Sequence, residues 1–300
     1  MACAEAGAVK GKFFVPRGVV QLLGKIFVYI VLWAAAVVTL VPFLWMVAAA
    51  LKSREDFFRS LFLPEGGGLF GVAWERLTLE NFNRLFGQGN IAMHIVNSAF
   101  LSSATALGAT LGSAMGGYAL AKLHFAGRGF LMGFVLWSLV IPGTLLLAPG
   151  YKVLFDLNLL NTYWALILPA LAPAFGVFLF RQAMVNAVPD SVIESARMDG
   201  AGEFRIFFTI ILPLVRPMVG AFLMITFLGT WNNFISPQIV LQSPEMMPLS
   251  VAISQLRGIY SQDYGLIMAG TLVSIAPVMV LFLLLQKEFI SGLTSGSVKG

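Results

Sequence analysis

Long uncharged stretches alternate with short charged segments along this chain. Six stretches contain no Asp, Glu, Lys or Arg and are long enough to cross a bilayer: 26–51, 95–121, 129–151, 157–180, 217–244 and 264–286. A transmembrane helix needs about 20 residues at a rise of about 1.5 Å each. Because backbone groups in lipid must be hydrogen-bonded within the protein, the pattern predicts an all-α polytopic membrane protein with about six transmembrane helices.

The same pattern divides the chain between the two sides of a membrane. Residues 1–25 are predicted to be a cytoplasmic segment, 26–286 a transmembrane domain and 287–300 a cytoplasmic tail. Within the domain, 52–90 is predicted to be an extracytoplasmic loop and 181–216 a cytoplasmic loop. With both ends inside, the inner segments carry twelve of the 19 lysines and arginines, which agrees with the excess of basic residues on the cytoplasmic side of membrane proteins.

Composition supports a membrane protein and excludes several other classes. Of the 300 residues, 58% are hydrophobic and 11% are charged, whereas soluble domains carry about 25% charged residues. The single cysteine, Cys3, excludes an internal disulfide, and the two histidines, His94 and His124, predict no metal site. The net charge of +5 comes from basic residues between apolar stretches, which favours lipid headgroups over nucleic acid as their partner.

Prolines and glycines within the uncharged stretches predict where helices bend and where they pack closely. A proline removes a helical hydrogen bond, so internal prolines are predicted to mark kinks or span ends. They are Pro42, Pro142, Pro169, Pro173, Pro237 and Pro277. Gly108, Gly112 and Gly116 recur every four residues and leave one helix face nearly bare. This face is predicted to pack closely against another helix, with a hinge as the alternative.

The sequence contains no recognisable machinery for catalysis or for energising transport by itself. It has no GxxxxGK[ST] phosphate-binding loop and no catalytic constellation, so we expect no enzyme activity, ATP site or bound cofactor in this chain. The six stretches also lack the ionisable side chains that proton-coupled carriers place within the membrane. Sodium coupling through carbonyls and hydroxyls stays open. If the chain is a transporter, we therefore expect its energy to come from outside the membrane.

Neutral polar side chains within the stretches are the candidates for a substrate path. Asn97 and Ser98 open the second stretch, and Trp231, Asn232 and Asn233 lie in the fifth. Amides and hydroxyls both donate and accept hydrogen bonds, so beside an indole they suit a polyhydroxylated substrate. The alternative is hydrogen bonding between helices, worth about 0.6 kcal/mol per contact.

The loop 181–216 contains a short predicted helix with marked ends. Ser191, with Glu194 three residues later, predicts a capping box, and Asp190 adds negative charge at the positive end of the helix. Gly200 and Gly202 can supply a left-handed stop. A helix of about nine residues is marginal alone, so we expect it to pack against another protein. The alternative is an ordinary capped loop helix.

The spacing of residues in this loop resembles that of the binding-protein-dependent ABC importer permeases. The cytoplasmic motif of that family is E-A-A, three residues, G, nine residues and then I-x-L-P. The matching positions here are Glu194, Ser195, Ala196, Gly200, Ile210, Leu212 and Pro213. Ser195 is the one departure, a small residue in place of another small residue.

Other segments resemble the carbohydrate branch of that family, specifically the second permease of maltose-type importers. They are Asn97-Ser98, Trp231-Asn232-Asn233-Phe234 with Pro237, Met247-Pro248-Leu249 and the glycine-rich ending 286–300. The likeness covers nearly the whole chain from about residue 20 onward. It points to a carbohydrate without identifying the sugar.

The resemblance implies an ABC type I importer permease fold and a set of partner subunits. The loop helix would dock on a separate ATPase, which holds ATP and Mg²⁺, with Glu194 facing a basic or donor group. Ala196 and Gly200 would allow the two backbones to approach closely. Three residues would tie the loop to the fifth span: Ile210, Leu212 and Pro213. Four tail residues would reach the ATPase dimer: Ser291, Gly292, Gly296 and Lys299.

The implied assembly contains two ATPase subunits, a second homologous permease that makes a heterodimer, and an extracytoplasmic solute-binding protein. It would lie in a bacterial cytoplasmic (inner) membrane and import a sugar or oligosaccharide. The alternative substrates are an anionic oligosaccharide and a glycerol phosphoester. The alternative mechanism is an ion-coupled secondary carrier, which would work without an ATPase.

Overall fold

The computed structural model describes residues 17–88, 90–256 and 263–294. Within these ranges the chain forms helices and no β-strand, apart from an isolated bridge between Glu65 and Val72. The α-helices are α1 (Arg17–Ala50), α2 (Arg54–Arg59), α3 (Glu80–Gln88), α4 (Ile91–Lys122), α5 (Arg128–Ser138), α6 (Leu147–Asp156), α7 (Trp164–Ile167), α8 (Ala174–Ala187), α9 (Asp190–Met198), α10 (Glu203–Ile206), α11 (Leu212–Leu214), α12 (Arg216–Trp231), α13 (Ile235–Val240), α14 (Leu249–Gln255) and α15 (Tyr264–Thr294). Short 3₁₀ segments lie at Leu69–Gly71, Trp74–Arg76, Gly143–Leu146, Leu168–Ala170 and Pro244–Met246, and a π-helical turn lies at Phe207–Ile211.

The described helices include enough long apolar segments to cross a membrane several times. Four segments qualify singly by length and composition: Gly24–Ala50, Ile91–Lys122, Trp164–Ala187 and Tyr264–Leu284. Two bent pairs raise the number to six if each counts as one span: Arg128–Ser138 with Gly143–Asp156, and Glu203–Leu214 with Arg216–Trp231. The prediction of an all-α membrane protein with about six spans is confirmed.

Three of the predicted spans are interrupted helices: 129–151, 217–244 and 157–180, the last of which contains α7, a 3₁₀ turn and the start of α8. The stretch 129–151 bends by 99° between α5 and the segment that begins at Gly143. Pro142, which has no N–H to donate, stands at this break, as the proline pattern indicated. The stretch 217–244 also divides, because α12 ends at Trp231 and α13 begins at Ile235. Pro42 and Pro277, in contrast, lie inside α1 and α15, which continue through them.

α4 is the helix around which the others pack. It lies against α8 and α12, while α15 packs on α12 and α1. A Cβ added at Gly112 would lie 2.2 Å from the carbonyl oxygen of Leu171, and one at Gly117 would lie 2.7 Å from Cβ of Phe180. The glycine face of α4 therefore touches the backbone of the neighbouring segment, and the prediction of close helix packing is confirmed.

The segment that follows α1 is folded and tied to the end of that helix. Lys52 is buried, and its ammonium donates hydrogen bonds to the carbonyls of Ser60 (2.7 Å) and Leu61 (3.3 Å). Burial lowers the pKa of Lys52, although nearby Asp56 opposes the shift. The Asn81 amide donates to the Ala50 and Lys52 carbonyls, both at 2.8 Å. These contacts hold the segment against the transmembrane bundle.

The terminal helices extend further than the hydrophobic pattern indicated. α1 begins at Arg17, within the predicted N-terminal segment 1–25, and residues 1–16 lie outside the described residues. α15 continues to Thr294, so part of the predicted tail 287–300 is helical. Ser291 and Gly292 lie in its last turns, and Gly296 and Lys299 lie outside the described residues.

Candidate coupling and pathway sites

α9 coincides with the predicted loop helix but starts in a different way. Pro189 occupies the N-cap position with φ −67° and ψ 139°, and no side chain caps the helix. The predicted capping box is therefore wrong. Ser191 lies inside the first turn, where its carbonyl accepts a hydrogen bond from the Ser195 hydroxyl at 2.9 Å. The helix ends as predicted at Gly200, whose φ of +78° is in the left-handed region, whereas Gly202 is extended.

One face of α9 packs on its own chain. Ile193 is buried and Ala196 partly buried, in a cluster that also contains Phe180, Met184 and Phe207. The short helix therefore obtains part of its packing surface from the transmembrane bundle itself, contrary to the expectation that another protein would supply all of it. Burial of this face explains how so short a helix is stable.

The opposite face of α9 is uncovered within the described residues. Glu194 is exposed and forms no hydrogen bond or ion pair with them. Met198 is 85% exposed and, beyond the end of the helix, Phe204 is 70% exposed. An exposed carboxylate one helical turn from an exposed methionine is a surface suited to contact with another protein.

The end of the loop is built into the base of α12. Ile210 lies in the π-helical turn, and Leu212 and Pro213 form α11, immediately before an 84° bend into α12. Ile211, between them, is fully buried in the same cluster as Ile193. The motif residues Ile210, Leu212 and Pro213 thus lie where the loop joins the fifth span.

A cavity of about 480 Å³ lies between α4, α6, α7, α12 and α13. Its polar lining residues are Thr105, Tyr151, Thr230, Asn233 and Ser236, and the rest of its wall is apolar. Among the described residues that line it, none is Asp, Glu, Lys or Arg. Of the five predicted path residues, Asn233 lines this cavity.

The other predicted path residues of the fifth stretch lie away from the cavity wall. The Trp231 indole is buried, donates to the Ser274 carbonyl at 3.1 Å and stacks on Phe227. Asn232 is exposed and donates to the Leu228 carbonyl of its own helix at 2.9 Å. Trp231 therefore joins α12 to α15. This contact agrees with the second interpretation of the polar side chains, hydrogen bonding between helices.

Asn97 and Ser98 tie the start of α4 to a distant segment. The Asn97 amide donates to the carbonyls of Glu245 (2.7 Å) and Met247 (3.2 Å), and the Ser98 hydroxyl accepts from the Leu249 N–H at 2.7 Å. His94 joins them although no sequence pattern pointed to it: its Nδ1 lies 2.8 Å from the Met247 carbonyl and must donate to it, because a carbonyl can only accept. Together these side chains hold the segment 245–249.

Asn161, which no sequence motif pointed to, holds the neighbouring part of the same segment. It is in the left-handed region at φ +57°. Its Oδ1 accepts from the N–H groups of Gln242 and Ser243, both at 2.9 Å, and its Nδ2 donates to the Ser243 hydroxyl at 2.8 Å. The sequence offers one clue to this role. Asparagine tolerates the left-handed conformation better than most residues, so an asparagine between helices can indicate such a turn.

Several long apolar helices, a cavity between them lined by neutral side chains and a short helix with one uncovered face are together typical of a membrane transport permease. The chain belongs to the family described as the inner membrane component of binding-protein-dependent transport systems, whose model matches residues 108–289. The resemblance found in the loop motif is thereby confirmed. The chain is a multi-pass transport subunit and not an enzyme.

Two relatives of known name are permeases of sugar transport systems. The chain is 35% identical over 270 residues to the arabinooligosaccharides transport system permease protein AraQ of Halalkalibacterium halodurans, covering 88% of this chain and 93% of that protein. It is 32% identical to the lactose transport system permease protein LacG of Rhizobium radiobacter, covering 90% of this chain and 95% of the relative.

A solved structure shares the fold. The chain superposes with a TM-score of 0.75 on a chain of a bacterial ABC transporter involved in the import of the acidic polysaccharide alginate. The match covers 93% of this chain and 100% of that chain at 20% identity. The ABC importer permease fold expected from the loop motif is confirmed.

Proposed function

We propose that this chain is one permease of an ATP-driven importer that carries a neutral sugar or oligosaccharide across a bacterial cytoplasmic membrane. The single observation that carries the substrate class is the cavity of about 480 Å³, whose described lining residues supply hydroxyls, an amide and the Tyr151 ring and include no charged side chain. Hydroxyls and amides match the alternating donors and acceptors of a saccharide, and aromatic and apolar walls match its C–H faces.

The absence of basic residues from this lining speaks against the anionic alternatives. A phosphoester or uronate moved out of water needs a positive partner, because an unpaired charge in an apolar cavity is costly. The relatives named for arabinooligosaccharides and lactose agree with an uncharged substrate. The alginate importer with which the chain shares its fold carries an acidic polysaccharide, so fold alone does not decide the substrate.

The energy source in this proposal is a separate ATPase, which holds ATP and Mg²⁺. Two ATPase subunits, a second and different permease, and an extracytoplasmic binding protein complete the importer. A fold neighbour has been solved in complex with a pentasaccharide-bound periplasmic protein, which supports the last of these partners. The uncovered face of α9 would meet the ATPase through Glu194, and Gly200 would allow close approach. Both ends of the chain lie in the cytosol, where the tail residues would contact the ATPase dimer.

Measuring uptake into reconstituted vesicles distinguishes this importer from an ion-coupled carrier. The chain would be reconstituted with its proposed second permease, ATPase and binding protein. Uptake of a neutral oligosaccharide should require enclosed ATP and all four components. The proposal would be contradicted by uptake into vesicles that contain this chain alone, driven by a sodium or proton gradient without ATP.

Thr230→Val tests the cavity as part of the path. The substitution removes one hydroxyl from the lining at nearly constant shape, so a lost hydrogen bond to the passing saccharide should lower ATP-driven uptake at saturating substrate by about three- to tenfold. Thr226→Val is the matched control, since it makes the same change one turn earlier on α12 at a residue that does not line the cavity. Equal effects of the two substitutions on uptake would show that Thr230 is not part of the substrate path.

A further inference from the structure

The cytoplasmic end of α4 is hydrogen-bonded to the beginning of α9. The Lys122 ammonium donates to the Val188 carbonyl at 2.7 Å and to the Asp190 carboxylate at 2.6 Å. The side chain of Lys122 is only 7% exposed, whereas that of Asp190 is 76% exposed. The hydrogen bond from Lys122 is the main reason that the pKa of Asp190 lies below its ordinary value. A buried ammonium thus fixes the first turn of α9.

A second connection reaches the other end of α9 from the same helix. The Tyr118 hydroxyl donates to one Glu203 carboxylate oxygen at 2.5 Å, and Nε of Arg197, in the last turn of α9, donates to the other at 2.7 Å. Tyr118 and Lys122 are four residues apart, so they project from one face of α4. Both ends of the short helix are therefore attached to a single transmembrane helix.

The end of α4 that carries these two side chains is itself immobilised. Arg128 Nε donates to the Leu120 carbonyl and one of its terminal nitrogens to the Ala121 carbonyl, both at 2.9 Å. Arg181, in α8, also donates to the Leu120 carbonyl, at 3.3 Å. These guanidinium groups satisfy carbonyls that have no partner within the helix. The last turn of α4 is thus a firm anchor for α9.

We propose that Tyr118, Lys122 and Glu203 are positioning residues for energy coupling, because they attach both ends of α9 to α4. This inference rests on the proposed function, in which an ATPase moves α9. A displacement of α9 then passes into α4 through two polar contacts as well as through the apolar cluster. At the opposite end of α4, Asn97 and Ser98 hold the segment 245–249, so movement of one helix reaches both sides of the protein.

The attachment can be tested in the purified full chain without any partner. A spin label at Met198→Cys, with Cys3→Ser, reports the mobility of the exposed end of α9. We expect Tyr118→Phe and Glu203→Gln to increase its mobility, and Lys122→Met to do so further in combination with either. Lys152→Met is the matched control, because Lys152 forms its ion pair with exposed Asp156 on its own helix, α6. Unchanged spectra in the combined variants would overturn the attachment.

Coupling itself is tested in the assembled importer. The Tyr118→Phe and Lys122→Met variants should retain the ATPase on co-purification and keep its basal rate. Stimulation of that rate by binding protein and saccharide should fall at least about fivefold, which corresponds to the loss of a single hydrogen bond. Full stimulation in the combined variant would overturn the inference while leaving the proposed function intact. Failure of the unaltered chain to bind any ATPase would instead overturn the proposed function, and the coupling role with it.

Discussion

Glu194→Lys should release the ATPase from an otherwise intact permease and abolish ATP-driven uptake. Glu194 is exposed and unpaired within the described residues, so its replacement costs the chain itself little. Against a basic or donor group of the ATPase, however, a lysine places like charges together, which costs several kcal/mol at an interface. We expect the affinity for the ATPase to fall by at least about a hundredfold. Co-purification of the ATPase with the tagged permease measures this directly.

A matched control for this reversal lies elsewhere on the chain. Glu75→Lys makes the same change at an exposed glutamate in the segment between α2 and α3, far from α9 in the sequence. It should leave co-purification of the ATPase unchanged. If Glu194→Lys preserves both the stoichiometry of the complex and saccharide-stimulated ATPase activity, α9 is not the contact with the ATPase.

Gly112→Ala should destabilise the permease more than any other single methyl addition on the glycine face of α4. The new Cβ would lie 2.2 Å from the carbonyl oxygen of Leu171, a backbone atom that cannot rotate away. Overpacking of this kind costs about 1–3 kcal/mol. The expected result is a lower temperature of unfolding in detergent and a lower yield of folded protein.

Two further glycines make this prediction specific. At Gly116 a Cβ would meet a methyl of Val177 at 3.3 Å, so Gly116→Ala should have a much smaller effect. At Gly133, in α5, a Cβ would meet nothing within 4 Å, so Gly133→Ala should be neutral or slightly stabilising, since alanine favours a helix by up to about 1 kcal/mol over glycine. Similar losses at all three positions would exclude close packing at Gly112 as the cause.

The sequence predicted the number and approximate positions of the spans because a bilayer imposes length and apolarity on every segment that crosses it. It did not predict the 99° bend after α5, since hydropathy is the same on both sides of the break. Pro142 marked the position of the break. Its angle depends on contacts between helices that no local pattern contains.

Some features of the candidate site were predicted correctly from the sequence and others were not. The motif spacing located α9 and its stop at Gly200, but the capping-box pattern misplaced the start, because Pro189 occupies the N-cap position and Ser191 lies inside the helix. Asn97 has the same chemistry whether it faces a saccharide or a backbone carbonyl. Its partner, Glu245, is 148 residues away in the sequence, so only the fold distinguishes the two roles.

The contrast between α1 and α4 has a consequence for how the two helices tolerate mutation. In the most apolar window of the span Gly24–Ala50 no residue is buried within the chain, whereas the corresponding window of α4 is 39% buried. Lipid tails accept any apolar side chain of roughly suitable size, so most positions in α1 should interchange Leu, Ile, Val and Phe freely. In α4 a single added methyl group meets a neighbouring backbone, which leaves evolution far fewer acceptable substitutions in that helix than in the first.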